Sequence, residues 1–207
     1  MAADTRVYIV DDDEAVRDSL SFLLESKGYV VKSFRSALDF LAAAPALPIG
    51  CLIVDIRMPE MDGLELQERL KPCALGFPMI VITGHADVPL AVRAMKAGAV
   101  DFIEKPFASE TILDSLAGVL SRLVSPNERD PATAAAAEKL ALLSPREREV
   151  LARLLAGLPN KSIAYDLEIS PRTVEIYRAR VMGKMGARSL SELIRLALAA
   201  GMQPRMR

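Results

Sequence analysis

Five side chains in the first half of this sequence are suited to handling a cation and an anion together: Asp11, Asp12, Asp55, Thr83 and Lys105. Carboxylates that share a crevice repel one another, so either some protonate or a cation neutralises them. A hard divalent ion fits best. Mg²⁺ takes oxygen ligands, keeps several waters and typically binds one or two carboxylates together with phosphate oxygens. Asp55 would then be the attacking carboxylate that forms an aspartyl phosphate. Lys105 would pair with a phosphoryl oxygen, and the Thr83 hydroxyl would donate to another. Catalysis at such a site is mostly positioning and charge neutralisation. Taken alone, the triplet Asp11-Asp12-Asp13 reads equally as the cap of a following helix. The convergence of four separate strand ends carries the chemical reading.

Those strand ends come from an α/β alternation over the first 124 residues. Strands are expected at Val7–Val10, Tyr29–Ser33, Leu52–Asp55, Met79–Thr83 and Val100–Glu104. Helical patterns fill the gaps at Glu14–Lys27, Ser36–Ala43, Gly63–Leu70 and Pro89–Ala97, and Leu113, Leu116, Leu120 and Leu123 mark a fifth. Such alternation predicts a doubly wound parallel sheet covered on both faces. Three of the strands are almost wholly apolar, as burial on both faces requires. In an open sheet of this kind ligands bind at the carboxyl ends of the strands, where Asp11, Asp12, Asp55, Thr83 and Lys105 fall.

The stretch 125–139 holds Pro126, Pro131 and the run Ala134–Ala137, and reads as an exposed linker, partly helical after Pro131. From residue 140 the strand signals disappear and a four-helix domain is expected over 140–207. Ser144-Pro145-Arg146-Glu147 combines an N-cap, a first-turn proline and a capping box. Gly157 and Pro159 end that helix, and Asn160 is placed to cap a short second one. Ser170-Pro171 starts a third, after a turn at Glu168–Ser170. Ser189 with Glu192 opens a fourth.

At about 100° per residue, Val174, Tyr177, Val181 and Met185 share the packing side of the third helix. Arg172, Glu175, Ile176, Ala179, Arg180 and Gly183 share the other. Small residues permit close approach, Ile176 would meet a thymine methyl and an Arg pairs bidentately with guanine. A second helix entering the major groove after a short turn is helix-turn-helix docking. Lys161, Thr173 and Lys184 would hold phosphates. On periodicity alone, a solvated arginine-bearing helix reads as well.

Charge divides the chain in the same place. Residues 1–124 carry a net −6, residues 125–139 a net −1 and residues 140–207 a net +6. An acidic half and a basic half suggest different partners, the basic one suiting double-stranded DNA. Tryptophan is absent and aromatics are 5% of the residues, so aliphatic cores are expected. Cys51, Cys73 and the single His85 make no metal-ligand spacing. With neither a leader-like segment nor an apolar run of roughly 20 residues, the reading is a soluble, cytoplasmic protein with no membrane partner.

Val-Asp-Asp-Asp at 10–13, Asp55-Ile-Arg-Met-Pro-Glu-Met-Asp-Gly63, Thr83-Gly84 and Lys105-Pro106-Phe107 resemble, in order and separation, the receiver domain of two-component response regulators. The resemblance covers about residues 4–124. It implies a flavodoxin-like sheet of strand order 2-1-3-4-5 and phosphorylation of Asp55 by a histidine kinase. It implies Mg²⁺ held by Asp12, Asp55 and the Arg57 backbone carbonyl, with Asp11 assisting through water. Thr83 and Phe102 match the family's switch pair, and Lys105–Pro106 a peptide bond that is cis there. Receivers usually have Ala or a similar small residue after the switch Thr, and here Gly84 is followed by His85; Arg57 and His85 would flank the phosphoryl group and tune its hydrolysis, while His85 as a solvated loop residue reads equally well.

Leu143-Ser-Pro-Arg-Glu-Arg-Glu-Val-Leu151, Gly157 through Ala164, Ser170-Pro-Arg-Thr-Val-Glu175 and Lys184-Met185 resemble the LuxR/NarL-type effector domain over about 140–203. Tyr177 stands where that family usually has His. The resemblance implies a last helix that dimerises the domain on DNA, with Leu190, Leu193, Leu196 and Leu198 to inspect. The whole chain resembles response regulators of the FixJ/NarL family, in particular those of nitrogen fixation. That implies an oxygen-responsive histidine kinase, promoter DNA and RNA polymerase as partners, and activation of nitrogen-fixation or microaerobic genes.

Two rivals stand beside this reading. A Mg²⁺-dependent phosphatase also forms an aspartyl phosphate but needs an acid/base two residues after its nucleophile, where this chain has Arg57. A receiver with a protein-binding tail would show no salt-sensitive DNA binding. The favoured chain is thus no enzyme beyond Mg²⁺-dependent self-phosphorylation and dephosphorylation. On this reading the acidic half would hold or mask the basic half through the linker, and phosphorylation would favour a homodimer, through Pro89–Ala97 and Val100–Glu104, that engages two half-sites.

Overall fold

Five short strands, β1 (Arg6–Val10), β2 (Val30–Phe34), β3 (Cys51–Asp55), β4 (Met79–Thr83) and β5 (Asp101–Glu104), form one parallel sheet of order β2-β1-β3-β4-β5. The computed structural model describes residues 6–70, 76–84, 88–124 and 131–202. Every residue of β3 and β4 is buried, as expected for central strands covered on both faces. Helices α1 (Glu14–Ser26), α2 (Ala37–Ala43), α3 (Gly63–Leu70), α4 (Val88–Ala97) and α5 (Ser109–Val124) make the connections. Asp13 caps α1 by accepting from the Ala15 and Val16 backbone N–H groups.

Alternation along the strands sorts the core into two halves. Val7, Ile9, Cys51, Ile53, Ile80, Ile82 and Ile103 pack with Leu20 and Leu24 of α1 and Ile112, Leu116 and Val119 of α5. The buried residues of this half carry no aromatic ring, though Tyr29 and Phe107 pack at its margin. The other half differs. Tyr8, Phe34, Phe40 and Phe77 form a cluster of edge-on and tilted rings with centroids 5.3 to 6.0 Å apart, and the Tyr8 hydroxyl donates to the Pro48 carbonyl at 2.7 Å. Few aromatics suffice when they gather in one place, because such ring pairs favour each other beyond the area they bury.

The chain forms two compact units, one holding the sheet with α1–α3 and α5, the other holding the later helices together with residues 88–96 of α4. The later helices are α6 (Pro131–Ala141), α7 (Pro145–Leu155), α8 (Asn160–Leu167), α9 (Pro171–Met185) and α10 (Leu190–Ala199). The expected linker departs from its reading here: α6 packs against α10 and α9, and its Ala136 is buried. An alanine face contributes little bulk but lets helices approach closely. The capping box at Ser144 and Glu147 is present. Asn160 does not cap α8; Pro159 holds that position without a side-chain bond. Ser189 caps α10, but the Glu192 carboxylate turns to the Arg188 N–H and the reciprocal bond to Ser189 is not the one made. The turn before α9 passes through Glu168 in the left-handed region, φ 54°. None of the helices among the described residues is long and apolar enough to cross a membrane.

Candidate functional site

Register brings the first site together. Val10 lies beside Val54, Asp55 beside Ile82, and Thr83 beside Glu104. Asp11, Asp12 and Asp55 each place a carboxylate oxygen within 4.8 Å of the others. Asp11 and Asp55 are buried and Asp12 is exposed. Lys105 reaches in from the end of β5, donating to Asp11 Oδ2 at 2.6 Å and standing 3.3 Å from Asp55 Oδ1. Asp11 Oδ1 accepts from the Asp13 N–H at 3.0 Å. Arg17 donates to the Asp11 and Asp12 carbonyls and pins that backbone. The triplet thus divides its labour, with Asp13 as helix cap and Asp11 and Asp12 at the site.

Asp55 is presented by a turn that only glycine completes. The Gly63 N–H donates to the Ile56 carbonyl at 3.0 Å, and a Cβ at Gly63 would overlap the Asp55 carbonyl oxygen. Glu60, at φ 66°, tightens the same turn, and Asp62 caps α3 by accepting from the Glu65 N–H at 2.7 Å. Arg57 is exposed at the rim. The Lys105 N–H donates to the Thr83 carbonyl at 2.8 Å, and the Lys105–Pro106 bond is cis. Thr83 and Phe102 are buried on neighbouring strands. Val81 pairs with Phe102 and Thr83 with Glu104, so both side chains belong to the face opposite Ile82 and Ile103. His85 lies outside the described residues, as does Cys73.

The electrostatics ask for a cation. Burial raises the Asp55 pKa; Lys105 works against this, while the Asp11 and Asp12 charges add to it. Burial also opposes the Lys105 ammonium, but the hydrogen bond to Asp11 and the charges of Asp11 and Asp55 prevail and raise its pKa. Asp55 Oδ1 is buried, and its only close polar neighbour among the described residues is Lys105 Nζ at 3.3 Å, a contact too long and poorly aligned to satisfy it fully. Three oxygen ligands and an orphaned buried carboxylate oxygen fit a hard divalent ion.

The second site is α9. Val174, Val181 and Met185 are fully buried, and Tyr177 packs against the Val150–Leu154–Ile163 cluster. Arg172, Glu175, Ile176, Ala179, Arg180 and Gly183 are all exposed, as is Lys161 on α8. The Arg180 guanidinium lies 6.0 Å from the Tyr177 ring centroid. Two expected phosphate contacts are engaged inside the unit. Lys184 Nζ donates to Glu147 Oε2 at 2.7 Å and to the Leu142 carbonyl at 3.3 Å, and the Thr173 hydroxyl is 2.8 Å from that of Ser170. Leu193 and Leu196 are core residues, while Leu190 and Leu198 are half-buried. Arg178 escaped the sequence reading: it is half-buried and donates to Asn160 Oδ1 at 2.9 Å.

Comparison with known proteins agrees with this layout. The family model of the response regulator receiver domain matches residues 7–117, and that of the bacterial regulatory proteins of the luxR family matches residues 141–197. Transcriptional regulatory protein FixJ of Bradyrhizobium diazoefficiens is 51% identical over 203 residues, covering 98% of each chain. FixJ of Rhizobium meliloti is 54% identical over 202 residues, covering 97% of this chain and 98% of its own. The structure of full-length FixJ from B. japonicum aligns with a TM-score of 0.58 at 49% identity, covering 97% of this chain and 99% of that one. A parallel sheet with an acidic crevice, joined in one polypeptide to a helix-turn-helix unit and matched along nearly its whole length by FixJ, places this chain in the family of FixJ-like response regulators, with a receiver domain and a LuxR-type DNA-binding domain.

Proposed function

We propose that Asp55 is the phosphoacceptor that controls DNA binding by α9. The observation that carries this is the buried Asp55 Oδ1, without a hydrogen-bond partner and 3.3 Å from Lys105. Asp55 attacks phosphorus, the bond from phosphorus to the kinase histidine nitrogen breaks, and the electron pair stays with that nitrogen. Lys105 and the Thr83 hydroxyl then hold phosphoryl oxygens. Asp11, Asp12, Asp55 and the Arg57 carbonyl would hold Mg²⁺, which when bound supplies charge neutralisation for an incoming phosphoryl group. Thr83 and Phe102, on one face of neighbouring strands, would carry the change outward as a switch pair and favour a homodimer. Arg172, Glu175, Ile176, Ala179 and Arg180 would meet base edges, with Lys161 at the phosphates.

The kinship with FixJ supports an oxygen-responsive histidine kinase as phosphodonor, RNA polymerase as the partner at the promoter, and nitrogen-fixation or microaerobic genes as targets. The test is phosphotransfer from candidate kinases to wild type and Asp55→Asn, read as affinity for promoter DNA. Wild type is expected to take the label and gain affinity, and Asp55→Asn to do neither. Equal affinity before and after labelling would sink the proposal.

A further inference from the structure

The apolar contacts of α9, through its buried stripe of Val174, Val181 and Met185, set which broad face turns inward and how close it lies to α8, but they leave its fine roll about the axis loosely fixed. Val174 packs against Ile163, Ala164 and Leu167, and such contacts are non-directional. Fine roll decides how the exposed side chains Arg172, Glu175, Ile176, Ala179 and Arg180 are aimed. It needs hydrogen bonds with defined direction, and two are in place. Lys184 ties the end of α9 to Glu147 of α7. Arg178 ties its middle to the first residue of α8, through Arg178 Nη1 and Asn160 Oδ1 at 2.9 Å.

The local sequence makes little sense without the second bond. Asn is a preferred cap, yet Asn160 sits one residue past the cap position, and Pro159 before it offers no side-chain bond to the helix. The acceptor that could have capped α8 is spent on α9 instead. Arg178 is half-buried while Arg172 and Arg180 on the same helix are exposed. Burial lowers its pKa, against the raising effect of Glu175, so the guanidinium is held where water serves it poorly and Asn160 matters more.

We infer that Arg178 is a positioning residue for sequence recognition: clasped to Asn160, it sets the fine roll of α9 and thereby how the exposed side chains are aimed at the bases, without touching DNA itself. This rests on the reading of α9 as the recognition helix. The test uses the full chain phosphorylated with acetyl phosphate, a duplex selected by the wild type from a random library, and a scrambled duplex, each titrated over a series of salt concentrations. Arg178→Ala is expected to lose about tenfold in affinity for the selected duplex, with the scrambled duplex and the salt slope unchanged. Asn160→Ala should reproduce this loss, the double variant should add nothing to it, and Arg178→Lys should recover part.

Equal losses on both duplexes with a salt slope shallower by about one would make Arg178 a phosphate contact and overturn the inference. Equal losses with an unchanged slope and a lower melting temperature would reduce it to a fold residue, and also overturn it. No change on either duplex would do the same. A wild type that binds neither duplex would instead remove the DNA reading of α9, and the inference with it.

Discussion

Replacing Lys184 by Ala should destabilise the helical unit and leave the salt dependence of DNA binding alone. Glu147 is 3% exposed, and its Oε2 accepts from Lys184 Nζ and from the Ser144 N–H, both at 2.7 Å. Removing one partner of a fully buried pair costs about 3–5 kcal/mol, because the other charge is stranded. Lys184 is 41% exposed and Ser144 stays, so water and the backbone recover part of this, and about 2 kcal/mol remains. With a urea dependence of roughly 1–2 kcal/mol per molar for a small unit, the midpoint should fall by about 1–2 M. The loss should also depend on pH. The hydrogen bond from Lys184, then that from the Ser144 N–H, holds the Glu147 pKa below its ordinary value. A lowered carboxylate pKa stabilises the fold above the unfolded value of about 4.3 and stops doing so as pH falls through the folded value. The gap between wild type and Lys184→Ala should therefore be flat near neutrality and close on acidification. Urea titrations followed by circular dichroism at several pH values measure this. A variant as stable as wild type at pH 7, with a DNA salt slope lower by about one, would return Lys184 to the phosphates and refute the reasoning.

Two glycines make opposite predictions. Gly63→Ala forces a methyl onto the Asp55 carbonyl, with the Asp55 carbonyl carbon and Ile56 Cα both only 3.2 Å away; thermal melting should show a loss of about 1–3 kcal/mol, and phosphorylation of Asp55 should slow. Gly183→Ala places its methyl in open space on the exposed side of α9, so it should stabilise the helix by about 1 kcal/mol while weakening DNA binding. Tighter binding from that variant would show that Gly183 serves no close approach.

Much of this was legible in the residues themselves. Alternating apolar runs and helical spacings located all five strands to within about two residues, and the same 3.6-residue period separated Val174, Val181 and Met185 from Arg172, Glu175 and Ile176. The order of Asp11, Asp55, Thr83 and Lys105 at strand ends announced a shared crevice. These features are local, or follow from the rule that parallel strands leave their carboxyl ends on one edge.

Contacts between distant positions were not legible, because they depend on how helices cross. Glu147 and Lys184 are 37 residues apart, and Asn160 and Arg178 are 18 apart; periodicity says which way each side chain leaves its own helix, not what waits there. Spacing alone thus makes Lys184 a phosphate contact and Asn160 a cap, and the structure gives each an internal partner. The alanine-rich stretch looked like a linker because composition measures bulk, whereas α6 packs by closeness. The acidic triplet shows the division most plainly. The sequence by itself determined that three aspartates follow β1. Only the tertiary structure decided that Asp13 caps α1 while Asp11 and Asp12 turn to Asp55, since that depends on where β3 and Lys105 arrive across the sheet.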